Sequence, residues 1–238
     1  MKKLLIYCLL IIFTLGFNSC GKDSSSSTTV TVYVLPVDIA ARYIAMAFCN
    51  ASEGINLHIE KFGSFSASGR SSFDSSFLAK KMDSSAIVKY QYQVVYSFNR
   101  LTTTPPQTTF DYTAGGGFSS DAIVSSDEQT SSNWTISTLD QGQLTLNGSG
   151  TDGGQQYASL EKVYFSSDFH YTFQNLKINK LSGLVVSGTA TITDSGSGPG
   201  GVGYNYSGTI TFTGDRKAEL VLGGSTFYFS LSSGSVTK

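Results

Sequence analysis

The sequence contains few charged residues, few histidines and few cysteines. Only 14% of its 238 residues are Asp, Glu, Lys or Arg, against about 25% in an average soluble protein. Sixteen basic and seventeen acidic residues give a formal net charge of −1. The chain therefore lacks the basic surface that nucleic acids need and that anionic lipid headgroups attract. We predict no nucleic-acid partner, no metal and no cofactor.

Serine, threonine and glycine take the place of the missing charges. Apolar residues make up 40% of the chain and aromatic residues 13%, which is too hydrophobic for a disordered protein. Thr, Tyr and Phe favour strands, while Gly and Ser favour turns. The composition therefore predicts a mainly β protein with many short connections.

The N-terminus carries the only long apolar run, Leu4 to Leu15, which follows Lys2 and Lys3. A membrane-spanning helix needs about 20 apolar residues, so this run of about a dozen is too short. A positive start followed by a short apolar stretch is typical of an export signal. The run gives way to Cys20 and then to a serine-rich segment.

The residues "FNSC" at positions 17–20 resemble the lipobox of bacterial lipoproteins, although Phe17 and Asn18 stand where that family usually has Leu and a small residue. In the family, the cysteine thiol receives a diacylglycerol and the signal is cut just before it. The resemblance implies lipidation at Cys20 and a membrane partner reached through that lipid. Because Gly21 rather than Asp follows the cysteine, it also implies the outer membrane, on the periplasmic side or at the cell surface.

The resemblance divides the chain into three parts. Two of its three cysteines are then used, Cys8 leaving with the signal and Cys20 carrying lipid, so Cys49 has no partner for an intramolecular disulfide. The serine-rich segment after Cys20 has the composition of a flexible tether. The parts are a signal peptide (1–19), a lipidated cysteine with its tether (20–30) and a single β-rich domain (31–238).

One amphipathic helix is predicted near the start of the domain, in "LPVDIAARYIAMAFCNAS" at 35–52. Its apolar residues recur at helical spacing, and Asp38 suits the N-cap. Cys49 lies near the apolar stripe, so we interpret it as a small buried hydrophobic residue. The following "INLHIEKF" (55–62) fits either a strand or a further helical turn.

From Ile87 onward the apolar residues alternate with a period of two, which predicts about ten strands. Short links favour an antiparallel meander, arranged as a sandwich or a strongly curved sheet with the helix at its side. Weaker strands are expected at Thr108–Thr113, Asn133–Leu139 and Gly142–Gly148. A change of phase near Gln174 predicts a bulge there, and Gly223-Gly224 predicts a two-residue hairpin turn.

Asp168 and His170 are the strongest candidates for chemistry. They lie two residues apart in a predicted strand, so both belong to its polar face. Such a pair can act as an acid and base or begin a metal site. No third ligand stands at a diagnostic spacing, so we favour a solvated pair and predict no catalytic residue.

Other acidic and polar motifs have simpler interpretations. Asp127-Glu128 and Asp152-Gly153-Gly154 offer oxygens for calcium, but they lack the alternating acids of a calcium-binding loop, and turn chemistry explains them better. Gly198–Gly203 matches G-x-G-x-x-G, yet a predicted strand rather than a helix follows. Trp134 shares a face with Ile136 and is expected in the core. The regularly spaced threonines expected on one hairpin face are Thr189, Thr191, Thr193, Thr209, Thr211 and Thr213.

We therefore expect a lipid-anchored, non-catalytic module that binds or scaffolds at the cell envelope. Its ligand is left open among an envelope component, a glycan and an apolar molecule. Two alternatives remain. One is a carrier that holds an apolar ligand between the curved sheet and the helix, and the other is a hydrolase that uses Asp168 and His170.

Overall fold

Each strand of the domain pairs with its neighbours in the chain, so the sheet runs in simple sequence order. The computed structural model describes residues 34–67, 72–101, 107–138 and 142–238. Eleven strands form one antiparallel sheet that is not closed, which confirms the predicted mainly β meander. The strands are β1 (Phe73–Lys81), β2 (Lys89–Leu101), β3 (Gln107–Ser119), β4 (Ile123–Thr138), β5 (Gln143–Ala158), β6 (Val163–Asn179), β7 (Val185–Ser197), β8 (Gly203–Gly214), β9 (Lys217–Leu222), β10 (Ser225–Ser230) and β11 (Val236–Thr237).

The predicted helix is present as α1 (Val37–Phe48), but its start differs from the expectation. Pro36 is the N-cap, and its carbonyl oxygen accepts hydrogen bonds from the backbone N–H groups of the first turn. Asp38 lies inside that turn and does not cap the helix, so the N-cap prediction is wrong. A short 3-10 turn at Asn50–Ser52 follows α1.

A second helix, α2 (Ile55–Ala67), occupies the segment that fitted either a strand or a helical turn. Ile55, Ile59 and Phe62 are all buried and recur at the four- and three-residue spacing of a helix face. Ile55, Leu57 and Ile59 also recur at every second position, as in a strand. The local sequence pattern therefore did not distinguish a helix from a strand. The domain therefore begins with two helices where one was predicted.

Both helices pack on the same face of the sheet, which we call the inner face. The Phe48 ring of α1 contacts rings on β6, β8 and β10. The Phe62 ring of α2 contacts rings on β2, β3 and β4. Eleven strands spaced by about 4.8 Å would be far wider than a helix pair if they lay flat. The sheet therefore curves around the helices, which matches the curved-sheet form of the prediction rather than the sandwich.

Three strands are longer than the sequence suggested. The weak segments expected near Thr108, Asn133 and Gly142 lie in β3, β4 and β5, which span 13, 16 and 16 residues. Their extra length consists largely of Gly, Ser, Asp and Gln, residues that are depleted in strands. Pairing with neighbours on both sides holds these segments extended despite their low intrinsic preference.

The predicted irregularities are confirmed. The β6–β7 register shifts between Gln174 and Lys177, and Asn175 has a φ of 53°. Gly223-Gly224 joins β9 to β10 as a two-residue turn, with φ values of 54° and 79° that suit a type I′ hairpin. The connection after β7 ends in a 3-10 turn at Pro199–Gly201 and leads directly into β8, as the sequence predicted.

The N-terminal predictions concern residues before the described part of the chain. Cys20, the signal segment 1–19 and the tether 20–30 all lie outside it, so they stay predictions. In residues 34–67, 72–101, 107–138 and 142–238, no helix has the length and hydropathy of a membrane-spanning segment.

Candidate functional site

The predicted pair, Asp168 and His170, lies on the face of β6 that points away from the helices, which we call the outer face. His170 Nε2 is 3.1 Å from Asp168 Oδ1, and the side chains are 52% and 69% exposed, respectively. The structure therefore brings the pair together, in solvent. Within the described residues, no group of three His, Cys, Asp or Glu side chains is placed to hold a metal ion.

His170 belongs to a shallow groove on the outer face, which we call the central groove. It has a volume of about 610 Å³ and is lined by side chains from β3, β4, β5 and β6. Its walls include Asp111 and Asn133 on one side and His170 and Thr172 on the other. The Asn133 amide donates a hydrogen bond to Asp111 Oδ1. The depression exists because β5 presents only Ser149, Gly150 and Thr151 between these walls.

A second groove lies further down the same outer face, and we call it the tyrosine groove. Its volume is about 480 Å³, and its lining includes Gln155, Tyr164, Ser166, Ser197 and Pro199. The Tyr164 side chain is 74% exposed. Its ring lies 4.5 Å from the Tyr157 ring, centroid to centroid, with 36° between the ring planes.

Strand β6 connects the two grooves. Alternate residues of a strand point to the same face, so Tyr164, Ser166, Asp168, His170 and Thr172 form one outer row. The inner residues between them, such as Phe165 and Phe169, are buried in the core. The predicted threonine array lies on the same outer face, because Thr189 pairs with Thr211 and Thr191 with Thr209 in the β7–β8 ladder.

The inner face holds a cluster of buried acids that sequence reasoning missed. Glu128 and Asp152 are 1% and 3% exposed and hydrogen-bond to each other. The Tyr92 hydroxyl donates to Glu128 Oε2, and the Thr130 hydroxyl donates to Asp152 Oδ1 over 3.1 Å. The interpretation of both acids as turn residues is wrong, since they lie within β4 and β5.

Burial controls the protonation of this pair. Burial raises the pKa of Asp152 to about 7. Burial, reinforced by the charge of Asp152, raises the pKa of Glu128 well above its usual value. At neutral pH, Glu128 therefore keeps its proton and donates it in the hydrogen bond to Asp152, because two adjacent carboxylates repel each other.

Asp194 on β7 is a third buried acid, with no exposed surface. The Ser167 hydroxyl donates to Asp194 Oδ1 over 2.5 Å, and the Tyr204 hydroxyl lies 3.4 Å from the same atom. Burial raises the pKa of Asp194 to about 7. Burial also raises the pKa of Tyr43 on α1 well above its usual value, and the three acids of the cluster add to that shift. These groups make a polar cluster within an otherwise hydrophobic core.

His58, the other histidine, is fully buried, and both of its ring nitrogens form hydrogen bonds. Its Nε2 donates to the backbone carbonyl of Glu53 at 2.9 Å, so its Nδ1 accepts from the Tyr96 hydroxyl at 2.6 Å. Its ring stacks on Tyr112 with centroids 4.1 Å apart. Burial lowers the pKa of His58 to about 3. The imidazole therefore stays neutral and serves packing.

Cys49 and Trp134 lie where the sequence placed them, in the core. Neither has exposed surface, and the Cys49 thiol lies 3.3 Å from the Ser52 hydroxyl. Burial raises the pKa of the Cys49 thiol, which keeps it in the unreactive protonated form. The Trp134 ring lies against the Phe110 and Phe62 rings, at centroid distances of 5.6 Å and 6.3 Å.

Comparisons with protein-family models, with curated proteins and with solved structures found no match to this chain. The class is therefore defined by the fold itself: a mainly β domain in which one open, antiparallel sheet of eleven strands curves around an N-terminal helix pair.

Proposed function

We propose that this chain is a lipid-anchored, non-catalytic binding module of the bacterial outer membrane. The difference between the packed inner face and the open outer face of the sheet supports a binding role. Helices and hydrophobic side chains fill the inner face, while the outer face carries open grooves that include the central groove and the tyrosine groove. A rigid sheet that presents grooves to solvent can bind a partner without moving.

The inner face gives less support to the carrier of an apolar ligand. Between the helix pair and β2–β5, a cavity of about 10 Å³ lies beside Glu128 and Asp152. This is space for one water molecule and not for a lipid chain. Phe48 and Phe62 occupy the volume that such a ligand would need.

The hydrolase alternative rests on Asp168 and His170 alone. Their mutual distance is suitable for proton transfer, but both side chains are surrounded by solvent rather than enclosed beside a third polar group. A catalytic pair works best where water is excluded, because electrostatic interactions are stronger there. The outer face therefore favours binding over hydrolysis.

Envelope fractionation tests the anchor. The sequence predicts that Cys20→Ser removes the site of acylation, so the protein should leave the membrane fraction for the soluble fraction. Cys49→Ala is the matched control, because it removes a cysteine from the core and should leave the protein in the membrane fraction. Membrane retention of Cys20→Ser at wild-type levels would refute the anchor.

Binding by the outer face needs a separate experiment, with lipids extracted so that the anchor plays no part. The purified full chain should co-sediment with lipid-extracted envelopes. Thr172→Arg, which places a long side chain in the central groove, should abolish that co-sedimentation. Thr213→Arg is the control, since Thr213 is exposed on the outer face of β8 outside both grooves. Equal co-sedimentation of the two variants would contradict a binding role for the central groove.

A further inference from the structure

The two grooves and the β6 row between them form one continuous strip, whose chemistry is that of a polyhydroxylated ligand. From Tyr164 to His170 the strip extends over six residues, or about 20 Å at the rise of a strand. Each groove has a volume within the range of small-molecule sites, about 300–1,000 Å³. The strip is therefore long enough for several units of a polymer.

The charges along the strip are few and of both signs. Asp111 and Asp168 carry negative charge, Lys162 carries positive charge, and His170 is paired with Asp168. Most of the remaining lining consists of hydroxyl, amide and backbone groups from Ser, Thr, Asn, Gln and Gly. Such a surface offers many hydrogen bonds and little net field. It suits neither a polyanion nor a polycation.

Tyr164 adds an apolar surface that the fold does not require. Its side chain is 74% exposed, although neighbouring β6 residues on the inner face are fully packed. Tyr157 lies against its ring and restrains its position. An exposed, restrained aromatic ring next to polar groups provides both contact area and hydrogen bonding. Carbohydrates match this combination because a pyranose has apolar C–H faces and a rim of hydroxyl groups.

We propose that the outer strip binds a neutral carbohydrate chain, with one sugar ring stacked on Tyr164 and the following units along β6 toward His170. This inference rests on the proposed function and names the ligand class of the same outer face. In the central groove, Asp111 accepts hydrogen bonds from sugar hydroxyls and Asn133 donates to them, while His170 and Thr172 bind hydroxyls on the opposite side. Asp168 accepts from a hydroxyl group further along β6.

The test measures binding of neutral, linear hexasaccharides of glucose, N-acetylglucosamine, mannose and xylose to the purified full chain. The detergent must carry no sugar headgroup, since such a headgroup would compete for the strip. Saturation-transfer NMR detects weak binding, and calorimetry gives the dissociation constant. We expect at least one hexasaccharide to bind, and the corresponding monosaccharide to bind less tightly. Failure of all four to bind with a Kd below about 10 mM would overturn the proposal.

Two variants locate the binding. Tyr164→Ala should weaken it about tenfold or more, because the stacking surface is lost. Tyr228→Ala is the matched control, since Tyr228 is 51% exposed on the outer face of β10 and lies outside both grooves. Ser197→Arg, which fills the tyrosine groove without removing an aromatic ring, should have the same effect as Tyr164→Ala. Undiminished binding by both groove variants would overturn the proposed site.

The results of the oligosaccharide-binding and co-sedimentation experiments do not depend on whether the chain carries a lipid anchor. If the oligosaccharides fail to bind while Thr172→Arg still abolishes co-sedimentation with envelopes, the ligand class is wrong and the binding module stands. If Thr172→Arg and Thr213→Arg co-sediment equally and no oligosaccharide binds, both proposals fall.

Discussion

The buried acids on the inner face predict that this domain becomes less stable as the pH rises toward neutrality. Asp152 has a folded-state pKa of about 7, compared with a usual value of 3.8. A raised pKa means that the folded state holds the proton more tightly than the unfolded state does. Its stabilising effect is complete below the unfolded pKa and is lost as the pH rises through the folded pKa.

The size of the effect follows from the shift. Each pKa unit corresponds to about 1.4 kcal/mol, so a shift of about three units amounts to about 4 kcal/mol for Asp152 over the whole range. Most of this loss, about 3 kcal/mol, falls between pH 5 and pH 8. Asp194 and Glu128 act in the same direction. His58 has the opposite effect on stability. Because folding lowers its pKa, the folded state loses stability as the pH falls below 6.5.

The comparison of wild type with Asp152→Asn separates the acid pair from Asp194 and His58. It includes the effect on Glu128, because the charge of Asp152 raises the pKa of Glu128. Asparagine has the shape of the protonated acid and keeps an oxygen to accept from Thr130. We expect urea denaturation to show that the variant gains about 3 kcal/mol relative to wild type between pH 5 and pH 8. Asp121→Asn, at an exposed position after β3, is the control and should show no such gain. A stability difference between Asp152→Asn and wild type that stays constant with pH would refute the reasoning.

Further predictions concern the core and one glycine. Phe48→Ala should lower the free energy of unfolding by about 3–5 kcal/mol, because Phe48 is fully buried among five rings. Tyr228→Ala, at an exposed position, is the control and should lower it little. Equal losses of stability for the two variants in urea denaturation would contradict this packing. Gly148→Ala should cost more than about 1 kcal/mol, because Gly148 has a φ of 142° and an added Cβ would lie 2.3 Å from the Asn133 carbonyl oxygen. Gly203→Ala is its control, with the nearest atom 3.8 Å away, and a thermal midpoint lowered equally by both substitutions would contradict the account.

The strand faces were predictable wherever large apolar residues alternate with polar ones. In β2, Tyr92, Val94, Tyr96 and Phe98 all lie in the core as the sequence indicated. This pattern is reliable because a slip of one residue would expose every one of these side chains. The same reasoning located the bulge near Gln174.

The buried acid pair was not predictable in this way. A bulge at Asp127, which has a φ of 54°, shifts the β4–β5 register between Ser126 and Gln129. Residues before the bulge face inward at odd positions, as Ser125 does, and those after it at even positions, as Glu128 does. A run of Ser, Asp, Glu and Gln carries no apolar alternation that would reveal this change. Both acids lie outside the strands predicted from the sequence, Asn133–Leu139 and Gly142–Gly148, so no local signal marked them as buried.

The grooves depend on contacts between strands, which the sequence of one strand does not reveal. Asp168 and His170 were singled out because they are close in the chain. Asp111 and Asn133 join them only because the register aligns β3, β4, β5 and β6. Loop lengths and bulges set that register, and each small error in them moves a side chain to another row.

A count of free thiols on the mature protein tests the central claim most directly. Cys8 should leave with the signal and Cys20 should be acylated, so only Cys49 should remain. Because Cys49 is buried, a water-soluble maleimide should label no thiol in the folded protein and one thiol per chain after denaturation. Two or more labelled thiols in the denatured mature chain would show that Cys20 is unmodified, and the anchored module proposed here would be contradicted.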